Sequence, residues 1–187
     1  MANKQYFKKR RQQKAEELAR KKATRNSQAV FLIVTEGEET EPRYFKALRK
    51  DLALAVGQVD IFGFGYTPKR LVEQAIKKAQ KDHYDQIFCV FDRDAHPHFE
   101  AAFRLAKRSR KPVHVIASTP CFEIWYLLHF TYTTKSYHPK EKHSPCDCLI
   151  CDLKTYLPNY AKSEEHLYQK LKNHRETAKK HAAQLKT

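Results

Sequence analysis

Gln86-Ile87-Phe88-Cys89-Val90-Phe91-Asp92-Arg93-Asp94 is a run of β-favouring residues that ends in two acids one residue apart. It reads as a buried strand whose Asp-x-Asp end lies at the mouth of a sheet. Residues two apart on a strand point to the same side, so Asp92 and Asp94 can share one cation if the pairing extends that far. A hard divalent ion such as Mg²⁺ takes oxygen ligands, and one or two carboxylates with water are a usual supply. The same two acids would equally serve to cap the next helix and mark a turn. What lies around the strand decides between these readings.

Outward from that strand the chain alternates. Val30-Phe31-Leu32-Ile33-Val34 is a continuous apolar run, the pattern of a strand covered on both faces. It leads into Thr35-Glu36-Gly37-Glu38-Glu39-Thr40-Glu41, where Gly37 permits a sharp turn and Pro42 suits the first turn of a helix with Tyr44, Phe45, Leu48 and Leu52 inward. Val59 to Phe62 is a weaker strand candidate. Thr67-Pro68 reads as N-cap and first helical residue, and Leu71, Val72, Ala75, Ile76 and Ala79 continue at helical spacing to about Asp82. After the opening strand, residues 98–108 predict a helix with Phe99, Ala102, Phe103 and Ala106 inward, and Val113 to Ile116 a further strand. Thr119-Pro120 repeats the cap signal before Cys121 to Phe130, a helix apolar on nearly every side. Strands and helices alternating at this spacing predict an α/β fold, a parallel sheet flanked by helices. Ligands of such sheets bind at the carboxyl ends of the strands.

Beyond Thr131 the composition turns polar and rich in His, Lys and Pro, an insertion over about residues 131–151. A short helix near Leu149–Leu157 and a longer polar one capped by Ser163 form a helical C-terminal extension. The chain of 187 residues thus divides into a basic arm, 1–28, and one domain, 29–187. The net charge is +15, and the arm's ten Lys/Arg against two Glu supply +8 of it. Lys8, Lys9, Arg10, Arg11, Lys14, Arg20, Lys21, Lys22 and Arg25, joined by Arg93 in the domain, are the candidate nucleic-acid contacts. A basic surface gains affinity for a polyanion by releasing its condensed counterions. No apolar run is long enough to span a membrane, and the charged start lacks a signal-peptide core, so a cytoplasmic protein is expected. Its five cysteines are then expected as reduced thiols or metal ligands rather than disulfides.

Four acids fall at or just after strand ends: Glu36, Asp92, Asp94, and Glu123 in the first turn of the apolar helix. The carboxyl ends of parallel strands share one edge, so these carboxylates are expected to converge. Clustered acids repel unless a cation holds them, and two ions about 4 Å apart would clamp the attacking and leaving oxygens of a phosphodiester. Glu36 could equally be a solvated turn acid and Glu123 a complement to the helix dipole, although a buried carboxylate needs a partner. Glu38, Glu39 and Glu41 read as helix N-terminal acids rather than ligands. His138, His143, Cys146, Cys148 and Cys151 lie within fourteen positions and can supply the four N/S ligands of a structural Zn²⁺; the alternative packs Cys148 or Cys151 against the following helix. Cys89 and Cys121 read as core residues.

An acid after the first strand and Asp-x-Asp ending a later one resemble the TOPRIM fold. More narrowly, Ile33 to Phe45, Phe91-Asp92-Arg93-Asp94 and Ser118 to Phe130, with Pro120-Cys121-Phe122-Glu123-Ile124-Trp125, resemble RloB-like proteins over about residues 28–165. The resemblance implies a TOPRIM-like sheet and a bacterial defence protein, restriction-associated or acting in abortive infection beside an ATPase partner. It also implies a nuclease dependent on Mg²⁺ or Mn²⁺ that cleaves phosphodiester bonds in DNA or RNA. It assigns Glu36 as general acid/base or metal ligand, Asp92 and Asp94 as Mg²⁺ ligands and Glu123 as a further ligand or support. Tyr160 and Lys162 match a Tyr-x-Lys of the family, and Lys162 would offset charge on the phosphate. The resemblance also leads to the expectation of a further segment after the last helix, which the chain does not carry. The competing expectation is a non-enzymatic nucleic-acid-binding or regulatory subunit of a defence complex.

Overall fold

The computed structural model describes residues 29–93 and 99–185. The arm over 1–28 and Asp94 therefore lie outside the described residues. Four parallel strands form one sheet: β1 (Phe31–Thr35), β2 (Val59–Gly63), β3 (Gln86–Asp92) and β4 (Val113–Ser118), in the order β2-β1-β3-β4. The connecting helices are α1 (Thr40–Asp51), α2 (Pro68–Lys81) and α3 (Phe99–Lys107). The fold is α/β with a parallel sheet flanked by helices, as the alternation predicts. From β1 the chain steps outward to β2, then crosses back to β3 and β4 on the other side. The strand order thus reverses between β1 and β3, and the crevice of such a sheet opens at that point, beyond the carboxyl ends of the strands.

Both faces of the sheet are packed because alternate residues of β1 and β3 point opposite ways. Leu32, Val34, Ile87, Cys89 and Phe91 pack with Leu71, Val72, Ala75 and Ala79 of α2 and Ala102 and Ala106 of α3. Burial raises the Cys89 thiol to about 12, which keeps it an inert core residue. On the opposite face Val90 joins Tyr44 of α1 and the C-terminal helices. These are α4 (Glu123–Leu127), α5 (Pro145–Lys154), α6 (Leu167–Leu171) and α7 (Arg175–Gln184). Tyr168 Oη donates to Asp51 Oδ2 at 3.0 Å, which docks α6 on the end of α1.

Three helix starts and one cap differ from the sequence reading. Pro68 is indeed the first residue of α2, but Thr67 makes no side-chain cap hydrogen bond. The apolar helix begins at Glu123 rather than Cys121, after a cis Thr119–Pro120 peptide, and is one and a half turns long. Helix α5 starts at Pro145, before the expected Leu149, because Ser144 and Asp147 form a reciprocal capping box that satisfies two N-terminal N–H groups. Ser163 caps nothing: Glu164 N–H turns back to Ala161 O, and α6 starts only at Leu167. No helix among the described residues is long and apolar enough to cross a membrane.

Candidate functional site

Glu36 leaves β1 and Asp92 ends β3, on the two strands between which the order reverses. The Glu36 N–H donates to Val90 O at 2.9 Å, extending the β1–β3 ladder by one residue, and Glu36 Oε2 accepts the Asp92 N–H at 3.2 Å. The two acids are thus held to each other through backbone as well as by the sheet. With Glu41, Glu123 and Lys162 they line one cavity of about 380 Å³ at the carboxyl edge of the sheet. Three of the four acids expected to converge do share this cavity, and the fourth, Asp94, is outside the described residues.

Glu41 is the acid that sequence reasoning assigned elsewhere. It does sit in the first turn of α1, yet it is buried, with its carboxylate folded back to accept the Gly37 N–H at 3.2 Å. The carboxylate fills the space beside Gly37: a Cβ there would lie 2.1 Å from Glu41 Oε2 and would displace it. On the other side of the turn, a Cβ on Gly63 would meet the Gly37 carbonyl at 2.5 Å, so the end of β2 presses on the same loop. Burial holds the Glu41 carboxyl above the usual carboxylate range; the backbone N–H bonds oppose this and the Glu123 charge adds to it. The legible signal was the spacing: Gly37 and Glu41 are four apart across a turn that must close.

Glu123 is only 3% exposed. Its two oxygens face different surroundings. Oε1 accepts the Tyr160 hydroxyl at 2.9 Å and lies 3.8 Å from Lys162 Nζ. Burial and then the Glu123 charge raise the Tyr160 phenol, so it stays protonated and donates. The Lys162 carbonyl accepts from Arg43 at 3.2 Å, so α1 fixes the backbone that carries the lysine. Oε2 of Glu123 faces sulfur instead, 3.7 Å from Cys146 Sγ.

The cysteines depart from expectation. Cys121 and Cys146 form a disulfide, with Cα atoms 5.7 Å apart, well within bridging range. Cys146 therefore does not gather with Cys148, Cys151, His138 and His143. The capping box starts α5 at Pro145, which aims Cys146 inward at Cys121. Cys148 Sγ lies 3.6 Å from the His138 carbonyl, and Cys151 is exposed on the next turn. Among the described residues, the group of three metal-competent side chains whose ligand atoms lie within 4.8 Å of one another is Cys121, Glu123 and Cys146.

Arg93 turns to the opposite side of the β3 end from Asp92. Its guanidinium sits 5.1 Å from the Phe99 ring centre, and the Arg93 backbone N–H donates to Ser118 O at 2.6 Å. It shares a second cavity with Phe99, Phe103, Arg104, Lys107 and Thr119. Arg104 and Lys107, one turn apart on α3, were readable as a cationic pair but had nothing in the sequence to tie them to Arg93.

No curated protein and no solved structure matches the chain. A family model described as RloB-like protein matches residues 31–187, from the first residue of β1 through the last helix. The chain belongs to the RloB-like protein family.

Proposed function

We propose that this RloB-like chain is a metal-dependent nuclease that cleaves phosphodiester bonds in DNA or RNA, built on a TOPRIM-like sheet. The observation that carries the proposal is the shared cavity of Glu36, Glu41, Asp92, Glu123 and Lys162 at the point where the strand order reverses. The donor set fits a hard cation: Glu36, Glu41, Asp92 and Glu123 all offer carboxylate oxygen, and acids that share one cavity favour a cation among them. Glu36 and Asp92 would hold Mg²⁺ or Mn²⁺, with Asp94 the next acid in sequence. The ion would supply charge stabilisation to the scissile phosphate and to the oxygens exchanged on it. Lys162, more than half exposed beside the cavity, would meet a non-bridging phosphate oxygen. Glu41, whose burial favours the protonated form, is suited to retain or release a proton near the reacting oxygens. Arg93, Arg104 and Lys107 would hold the phosphate backbone on the far side of the β3 end, and the basic arm would gather substrate. Action in phage defence, beside an ATPase partner and in the cytoplasm, belongs to the same proposal.

A second reading is favoured by one observation. Glu123 is already committed to Tyr160 and Lys162, as a structural acid would be, which suits a non-enzymatic nucleic-acid-binding or regulatory subunit. Cleavage assays on DNA and RNA with Mg²⁺, Mn²⁺ or EDTA separate the two, with and without the ATPase partner. The nuclease reading expects metal-dependent cleavage that Glu36→Ala and Asp92→Ala abolish while binding persists. Binding without cleavage in every condition sinks it in favour of the second reading.

A further inference from the structure

We propose that, once the Cys121–Cys146 disulfide is reduced, Cys121, Cys146 and Glu123 form a binding site for zinc(II), distinct in chemistry from the carboxylate site beside it. Glu123 divides its two oxygens between different surroundings. Oε1 is taken by the Tyr160 hydroxyl and faces Lys162, while Oε2 lies 3.7 Å from Cys146 Sγ. A metal-ligating carboxylate is usually oriented in this way, with one oxygen on the ion and the other on a hydrogen-bond donor. The ligand atoms of all three residues already lie within 4.8 Å of one another. A tetrahedral zinc with Zn–S bonds near 2.3 Å spaces two thiolates roughly 3.7 Å apart and takes a carboxylate oxygen at about 2.0–2.2 Å, so the sulfurs must part from bonding distance but stay within the span the three ligand atoms already occupy.

The backbone makes the site rigid. Cys121 lies two residues before Glu123, the first residue of α4, with Phe122 between them, and Cys146 is the second residue of α5. Cys121 and Glu123 are buried and Cys146 is partly exposed, which leaves an entry path on one side. Two thiolates select a soft or borderline ion and discriminate against Mg²⁺. Three protein ligands leave the fourth position of the tetrahedron to water or substrate, the pattern of an open zinc site rather than a closed structural one. The balance is simple. A dithiol reductant gives two electrons and two protons to the disulfide, leaving two thiols and the oxidised reductant. Each thiol then loses its proton as it binds the ion. Disulfide and metal are mutually exclusive states of the same pair.

The test uses the full chain without nucleic acid, so it stands or falls apart from the nuclease reading, which is decided by Mg²⁺-dependent cleavage. Reduced protein is titrated with cobalt(II), then zinc(II), and the metal content measured after gel filtration. Expected are one ion per chain, a thiolate-to-cobalt charge-transfer band that zinc removes, and no uptake by unreduced protein. Cys146→Ser should weaken binding at least about a hundredfold and Cys151→Ser leave it unchanged. Because Cys146→Ser removes a crosslink and could unfold, a second readout uses unaltered protein: zinc should protect Cys121 and Cys146, but not Cys151, from alkylation read by mass spectrometry. No uptake by the reduced chain overturns the proposal. So does uptake that protects Cys148 or Cys151 instead of Cys121 and Cys146.

Discussion

The two ends of α4 bury polar side chains in opposite ways. At its start Glu123 is surrounded by groups that can answer a charge: the Tyr160 hydroxyl, the Lys162 ammonium and the Cys121–Cys146 sulfurs. Just past its end His129 is 1% exposed, its Nδ1 donates to Trp125 O at 2.8 Å, and Nε2 has no hydrogen-bond partner among the described residues. The His129 ring stands edge-on to the Trp125 indole, 4.9 Å between centres. Both residues lie in the core formed on α1's side of the sheet, yet only one has surroundings that suit chemistry. Burial alone is a poor sign of a site. What separates Glu123 from His129 is the number of separate chain segments that bring a polar atom to it.

The largest effect should come from removing the charge at the start of α4. Glu123→Gln keeps an amide oxygen for Tyr160, so stability should change by no more than about 1 kcal/mol. Metal-dependent cleavage should fall at least about a hundredfold. Rate and melting temperature measured on the same sample check this. Cleavage at the original rate would make Glu123 as structural as His129 and erase the contrast. Next comes the crosslink. Cys121 and Cys146 are 25 positions apart, and closing a loop of that length in the unfolded chain is worth roughly 3 kcal/mol. Cys146→Ala should lower the urea-unfolding free energy of the oxidised protein by about that amount, and should change little under reducing conditions.

The opposite end of α4 gives a pH signature. Burial lowers His129 from 6.5 to about 4, with its hydrogen bond to Trp125 O opposing the shift. The unfolded chain takes up the proton as pH falls through 6.5, whereas the folded chain resists until about 4. His129 therefore contributes stability that is fully present above pH 6.5 and lost as pH falls to about 4, up to roughly 3 kcal/mol in all. His129→Gln should remove that slope from a plot of unfolding free energy against pH. A slope unchanged by the substitution would mean that some other group carries the acid sensitivity. Glu41 runs the other way: its raised carboxyl makes the fold lose stability as pH rises through the carboxylate range.

Much of this contrast was legible before the structure, and the rest was hidden for identifiable reasons. The apolar runs at Phe31 and Ile87, the Pro at position 68 and the acids at strand ends are local signals, and local signals set the sheet and the place of Glu36, Asp92 and Glu123. The disulfide was not legible, because the expectation of reduced thiols came from compartment and the partner of Cys146 lies on another element. Proximity in sequence drew Cys146 toward Cys148 and Cys151, although residues two apart on a helix point apart. The Ser144-x-x-Asp147 box was readable and would have started α5 early enough to turn Cys146 inward. Ser163 shows the limit of such signals: a cap residue followed by acids promised a helix, and the chain used it for a turn.

Lys162 yields the smallest effect on stability and the finest test of what the start of α4 is for. Its ammonium is 3.8 Å from Glu123 Oε1, but 62% of the side chain is exposed, so water and salt screen the pair. Lys162→Ala should therefore cost no more than about 1 kcal/mol, and the Tyr160 hydroxyl would still satisfy Glu123. If the lysine exists to meet a phosphate, cleavage should drop by about tenfold or more while the melting temperature holds, and Lys162→Arg should restore part of the rate. If it exists only to neutralise Glu123, the stability loss should exceed that of an exposed pair and the rate should follow the fraction folded. The two outcomes divide along the line that separates Glu123 from His129: a polar group kept for what it will meet, or one kept for what it already touches.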